Sequence, residues 1–303
     1  SGWMHWSWKP ARANTLPGFE SLSLHQNLSQ NNSFISMTSK ELKYFIKSQS
    51  YGFAISLRDK SHVLKSFNWN KNKVFYRTST SDMSLIYEIL LKSQNKAEYF
   101  FPKQINPKVI LDIGGNIGIT SIFLAKVFPN ASIYTFEPLK ENFELLEKNI
   151  QNYPNIKAFN VGLGSKNGSF KVYFSDDPEN FGGASLYSDG EGNDSESYSE
   201  CEVKNISDFL DELNIESADL IKIDTEGAEF EILSSLKDQF LKNTSWITGE
   251  LHGNNDFILL NHLMNLGFSI SLKKQIDNRL FMFSAGKEYV ISKLSKKDKK
   301  LIS

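Results

Sequence analysis

A chain of 303 residues, 40% of them hydrophobic, has enough apolar mass for one large α/β core plus an extension, or for two small domains. Its 34 basic and 35 acidic residues leave a formal charge of −1, so bulk charge offers no footprint for nucleic acid. One cysteine, Cys201, excludes an intrachain disulfide and a cysteine-rich zinc site, and the longest apolar stretch, 111–128, is broken by Asp112, Asn116 and Lys126, which argues against a membrane span.

No secretory leader pattern is visible, and a soluble, cytoplasmic protein is expected. Residues 1–35 are rich in Ser, Asn and Gln and lack a period. Trp3, Trp6 and Trp8 beside His5 read either as an aromatic patch for a partner or glycan, or as an arm packed on its own domain. Spacing through Leu42, Phe45 and Ile46 predicts a helix over 39–48 opened by a Ser or Thr cap. Phe53–Leu57 and Lys73–Arg77 are expected as short strands. Helical spacing resumes over 81–91 through Leu85, Ile86, Ile89 and Leu90, with Asp82 in the first turn. Residues 1–75 are therefore expected to form an N-terminal appendage, 76–285 the catalytic domain and 286–303 a basic tail.

The stretch 109–120 begins as a short apolar run, passes Asp112, turns through Gly114, Gly115 and Gly118, and resumes as an apolar periodic segment. That order predicts a buried strand, a glycine loop and a helix, the entry unit of a nucleotide-binding α/β domain. Without Cβ atoms the glycines let the backbone lie close to a ligand. Asp112 opposes a pyrophosphate there and suits a ligand carrying an ammonium and a sulfonium, and Asn116 departs from the G-x-G-x-x-G spacing. The next strand, 132–136, ends at Glu137-Pro138. Proline holds Glu137 extended at the strand's mouth, where α/β domains place the acid that binds ribose hydroxyls.

A third strand is expected over 156–161, with Gly162–Gly164 as its exit, and an alternating strand over 169–174. From 172 to 203 no Lys or Arg occurs while acids and glycines recur, so 176–202 is expected as a long loop, either a lid or a solvated insertion. An amphipathic segment over 203–213 precedes a buried strand, 219–224, and a helix opened by Thr225–Glu229. The next strand, 245–251, leads to His252, and a helix over 257–266 is stopped by Gly267. Segments 268–272 and 280–283 are too close for a crossover helix and must pair antiparallel. Alternating strands and helices predict a doubly wound, mainly parallel sheet.

Three blocks resemble the FkbM family of S-adenosylmethionine-dependent methyltransferases: Leu111–Gly118, Phe136-Glu137-Pro138 and, most specifically, Ile221–Glu229. Ser81-Asp82, Glu98-Tyr99 and Gly183–Leu186 resemble it more weakly. The resemblance spans about residues 75–285; Gly115 stands where the family often has alanine, and the first 75 residues find no counterpart. It implies a class I methyltransferase fold, Rossmann-like and seven-stranded with the last strand antiparallel. It also implies S-adenosyl-L-methionine as cofactor and O-methylation of a sugar, glycan or polyketide-type hydroxyl, N-methylation being the alternative. Asp112, Gly114, Asn116, Gly118, Glu137, Gly162 and Asp224 are the implied cofactor contacts.

Asp112, Glu137, Asp224, Glu250 and His252 all fall at carboxyl ends of predicted strands, where open α/β sheets bind ligands. Lys222 and Asp224 share one side of their strand, as do Glu250 and His252. His252 is the first choice as general base because its ordinary pKa lies nearest working pH. Asp224 follows as an orienting group, then Glu226, with Glu250 beside them. In the structural alternative Lys222 pairs with Asp224 and His252 caps the next helix. No metal is assigned, although such an oxygen-rich mouth suits Mg²⁺. Two other classes stay open: a dinucleotide-dependent oxidoreductase, and a non-catalytic module that binds the cofactor and a glycan.

Overall fold

The structure, a computed structural model, describes residues 37–92, 99–173, 198–252, 255–274 and 281–300. Thr38 opens helix α1 (Ser39–Ser48) with a capping box, accepting from the Glu41 amide while Glu41 reaches back to the Thr38 amide. Helix α2 (Tyr51–Ile55) follows, and overturns the strand expected at 53–57. The Ser50 side chain caps it, and Phe53 buries against Phe67 and Tyr76. A five-residue apolar run fits either period, and here the cap decides. Strands β1 (Leu64–Trp69) and β2 (Asn72–Arg77) form a hairpin, and α3 (Asp82–Ile86) runs on into one π turn, Tyr87–Leu91.

The main sheet begins with β3 (Val109–Ile113). Next come α4 (Ile119–Val127), β4 (Ser132–Phe136), α5 (Lys140–Ile150) and β5 (Ile156–Phe159). A side sheet takes β6 (Gly162–Gly164), β7 (Gly168–Tyr173) and β8 (Tyr198–Asn205), in the order β6-β8-β7. Residues 198–202, expected as loop, are thus strand; the rest of the acidic segment and the tryptophan-bearing arm lie outside the described residues. The chain continues through α6 (Ile206–Glu212), β9 (Leu220–Ile223), α7 (Glu229–Ser234), α8 (Asp238–Asn243) and β10 (Trp246–Leu251). Helix α9 (Asp256–Asn265), β11 (Phe268–Lys274), β12 (Phe281–Lys287) and two short helices, α10 (Glu288–Ile291) and α11 (Lys296–Lys299), complete it.

Seven strands pair in the order β11-β12-β10-β9-β3-β4-β5, and only the pairings of β12 are antiparallel. This is the class I methyltransferase arrangement. β9 is buried at every position and β10 at all but Glu250, as a parallel sheet covered on both faces requires. Successive residues of one strand serve opposite cores: Ile110 packs with α4 and the N-terminal elements, Leu111 with α6, α7 and α9. Tyr44, Phe53, Phe67 and Tyr76 belong to the first of these cores. The boundary expected at 75/76 therefore falls inside β2, in one compact unit running from Thr38. No helix among the described residues is long and apolar enough to cross a membrane.

Chain order reverses between β3 and β9: β4 and β5 lie to one side, β10 to the other. Such a switch point opens a crevice at the strands' carboxyl ends.

Candidate active site

The crevice is a cleft of about 970 Å³, counted to its open mouth. Gly114 and Asn116 of the glycine loop, Glu137, Gly162, Asp224 and Glu226 line it, with an apolar wall of Phe136, Val161, Leu163 and Val203. Five of the seven expected cofactor residues therefore meet in one place. The glycine loop is pressed against its neighbour: a Cβ on Gly114, where φ is +79°, would stand 1.8 Å from the Asp224 carbonyl oxygen. Asn116 also takes a positive φ, and its buried Oδ1 has no hydrogen-bond partner among the described residues.

Glu137 faces the cleft from a nearly closed site. Its carboxylate accepts the Asn116 amide at 2.7 Å and the Leu139 amide at 3.0 Å, with the Asn142 side-chain nitrogen at 3.5 Å. Burial pushes its pKa up to about 7 against the pull of those donors.

The two remaining cofactor candidates sit behind the cleft. Asp112 is the fourth residue of β3, not a residue beyond its end, and is fully buried. It accepts the Ser121 hydroxyl at 2.5 Å and lies 3.5 Å from Lys222 Nζ. Burial raises its pKa and Lys222 opposes that shift. Gly118 opens α4 with φ +83°, and a Cβ there would meet Leu146 of α5 at 3.1 Å, so it serves helix packing.

Lys222 is the cation beneath the loop. It donates to the Gly114 carbonyl at 2.7 Å, pairs with Asp112, and stands 3.9 Å from Asp224. Tyr99 donates its hydroxyl to Asp224 at 2.9 Å and lays its ring 5.6 Å from the lysine ammonium.

The turn after β9 carries the acids. Glu226 takes φ +55°, an uncommon conformation for that residue, followed by Gly227 at +118°. Glu229 holds the turn shut from inside: its carboxylate accepts the amides of Thr225 (2.8 Å) and Gly227 (3.1 Å) and the Thr225 hydroxyl (3.0 Å). His252 stands against this cluster, Nδ1 3.2 Å from Glu229 and Nε2 3.2 Å from Glu250 and 3.5 Å from Glu226. Burial alone would lower the histidine's pKa, but the three carboxylates overcome that and lift it to about 11. Those carboxylates favour the protonated ring at the position expected to supply a neutral base. Among the described residues the ring nitrogens of His252 meet acids rather than amides of α9. Glu226, its side chain 39% exposed, is pushed up to about 7 by burial and by Asp224, against the pull of His252. Burial likewise works against Glu229, yet the histidine holds that carboxyl below its ordinary value.

Asp224 and Glu226, two of the four residues named as catalytic candidates, line the cleft, while Glu250 and His252 stand beside Glu226. Ligand atoms of Asp224, Glu229 and His252 come within 4.8 Å of one another, but Glu229 already spends both oxygens on the turn's amides. Sequence reasoning gave no role to Glu229, Tyr99 or Asn142. The first was readable as an i+4 partner of Thr225 at a helix start, Tyr99 only as part of the weakly matching Glu98-Tyr99 pair, and Asn142 carries no local signal.

The family described as "Methyltransferase FkbM domain" matches residues 112–289. Methyltransferase 1 of Beauveria bassiana is 28% identical over 185 residues, covering 54% of this chain and 74% of that protein. The 2-O-methyltransferase NoeI of Sinorhizobium fredii is 26% identical over 148 residues, covering 44% of this chain and 59% of NoeI. A crystal structure of an FkbM methyltransferase from Methylobacillus flagellatus superposes with a TM-score of 0.42 at 17% identity, covering 59% of this chain and 44% of that one. The chain thus spans less than two thirds of the latter two proteins.

Proposed function

The chain belongs to the FkbM methyltransferase family, and from that premise we propose that it moves a methyl group from S-adenosyl-L-methionine to a hydroxyl of a sugar, glycan or polyketide-type acceptor. The carrying observation is one cleft at the sheet's switch point with Glu137 and an orphaned Asn116 Oδ1 on one wall and Asp224 and Glu226 on the other. Those groups fit the cofactor. Glu137 offers acceptor positions for ribose hydroxyls, Asn116 an acceptor unpaired among the described residues, and Phe136, Val161, Leu163 and Val203 an apolar wall for the base. The bound cofactor supplies an electrophilic methyl on a sulfonium, and a mouth dominated by carboxylates favours that positive charge.

The acceptor hydroxyl must lose its proton as its oxygen attacks. Glu226 is the assigned base: it is the most open acid of the cluster, it lines the cleft, and a pKa near 7 suits proton transfer at neutral pH. His252⁺ fixes Glu226 and Glu250 by charge, and Asp224, steadied by Tyr99, orients the acceptor. Attack on a hydroxyl oxygen rather than another atom draws support from NoeI, named a 2-O-methyltransferase.

Titration calorimetry with S-adenosyl-L-methionine and with NAD tests the cofactor, and transfer of labelled methyl into fractions of a cell extract tests the reaction. Binding of NAD alone would return the chain to dinucleotide chemistry. Cofactor binding without label transfer to any fraction would leave a binding module.

A further inference from the structure

A chain of side chains runs from the N-terminal hairpin to the carboxylate assigned to the ribose. Arg77, the last residue of β2, donates from Nε and from a terminal nitrogen to the two oxygens of Asp82, each at 2.9 Å. Asp82 also accepts the Arg77 amide at 2.8 Å, and Thr80 ties the turn between them. The same terminal nitrogen donates to Asn142 Oδ1 at 2.8 Å, and Asn142 Nδ2 stands 3.5 Å from Glu137 Oε1. Asn142 is 4% exposed and lines the cleft.

We propose that Arg77 is a positioning residue for the cofactor: it sets which way the Asn142 amide points, and through it keeps Glu137 turned toward the ribose. The inference rests on the cofactor reading above. A guanidinium has donors only and a carboxylate acceptors only, so an amide between them has one favourable orientation, oxygen to Arg77 and nitrogen to Glu137. The flipped amide would set its oxygen against a carboxylate and its NH₂ against a cation. Asp82 grips the fork bidentately, so the arginine cannot swing away to follow a flip. A buried pair such as Arg77–Asp82 is a weak source of stability, whereas a fixed direction is what bidentate geometry delivers well. With the Asn116 and Leu139 amides donating to it as well, Glu137 accepts from three donors while lining the cleft.

The test compares S-adenosylhomocysteine with its 2′-deoxy and 3′-deoxy analogues by calorimetry, so that only the ribose contact is read. The native protein should prefer the intact ribose by roughly tenfold to a hundredfold, the range of a hydrogen bond to a charged group. Arg77→Met and Asn142→Leu should each reduce that preference to within about threefold, and the double variant should add nothing further, as expected of residues acting in series. A general loss of structure would weaken all three ligands alike and leave their ratio unchanged. Should Arg77→Met fail to fold, near-isosteric Asn142→Leu carries the test. A folded Asn142→Leu or Arg77→Met that keeps the full preference overturns the inference. So does a native protein that binds S-adenosylhomocysteine and ignores the ribose hydroxyls. Failure of the native protein to bind S-adenosylhomocysteine at all would instead remove the cofactor reading, and this inference with it.

Discussion

The two walls of the cleft hold their carboxylates by different means. On the β3–β4 wall one acid, Glu137, sits among backbone amides whose positions are set by the glycine loop and the start of α5. On the β9–β10 wall Glu226, Glu229 and Glu250 surround the His252 ring, and Glu229 is also tied down by backbone donors. Backbone dipoles cannot titrate, so the donors around Glu137 stay in place whatever the pH, although burial brings the carboxyl itself to a pKa of about 7. The second depends on charges that do titrate, and its most open member has a pKa near 7. A fixed wall suits a ligand that is the same in every turnover; a wall with a movable proton suits the step in which a proton must leave.

The largest effect expected from this division is on turnover at the second wall. Glu226→Gln keeps the size and removes the base, and should slow methyl transfer by about 10²–10⁴-fold. Cofactor affinity should stay within about threefold, since Glu137 and its donors are untouched. Labelled transfer and calorimetry on one preparation check both halves. Full turnover in the variant would return the search for a base to Asp224 or Glu250.

Next in size is the complementary change at the first wall. Glu137→Gln replaces a charged acceptor by a neutral one that cannot accept from both amides with the same strength. Hydrogen bonds to charged groups contribute roughly 1.5–3 kcal/mol, so cofactor affinity should fall about tenfold to a hundredfold. At saturating cofactor, turnover should recover to near the native value. If turnover stays depressed at saturation, the walls are coupled and the division is wrong.

What the chain order made legible divides along the same line. Period and punctuation exposed the alternating strands and helices, the glycine loop and the acids at strand ends, because each is a local pattern. They misread 53–57, where a serine cap turned a short apolar run into helix, and 198–202, where acids hid a strand whose partner lies about thirty residues earlier. Within the site, Glu137 was readable because proline and the strand end fix it in sequence. His252 was identified as a residue of the mouth, but the acids that surround its ring were not readable. Its pKa is decided by Glu229, Glu226 and Glu250, which arrive from two strand ends, and sequence offers only the ordinary value near 6.5. Tyr99 lines the cleft and Arg77 touches Asn142 of its wall, both through tertiary contacts that no spacing encodes.

The smallest effect sharpens the claim that the second wall is held by charge, and it is read as stability against pH. A histidine whose folded pKa is raised from 6.5 to about 11 binds its proton more tightly in the folded chain. Its contribution is complete below pH 6.5 and fades as pH rises toward 11. Glu226 also has a raised pKa, so its contribution fades as pH rises, but that change ends near pH 7. Glu229 has a lowered one, and its contribution is lost only as pH falls below the ordinary carboxylate range. Cys201 is raised from 9.0 to about 11 and responds above pH 9. Between pH 7.5 and 9 the histidine is therefore the group in this set that changes the balance, by about 2 kcal/mol at ~1.36 kcal/mol per pKa unit. For a unit of this size that is a fall in Tm of about 4–8 °C. His252→Gln keeps a donor for Glu229 without a titrating charge, so its Tm should start lower and stay nearly level across the same window. Parallel native and variant curves from pH 7.5 to 9 would mean that His252 is not charged in the folded protein, and would restore it as a candidate base.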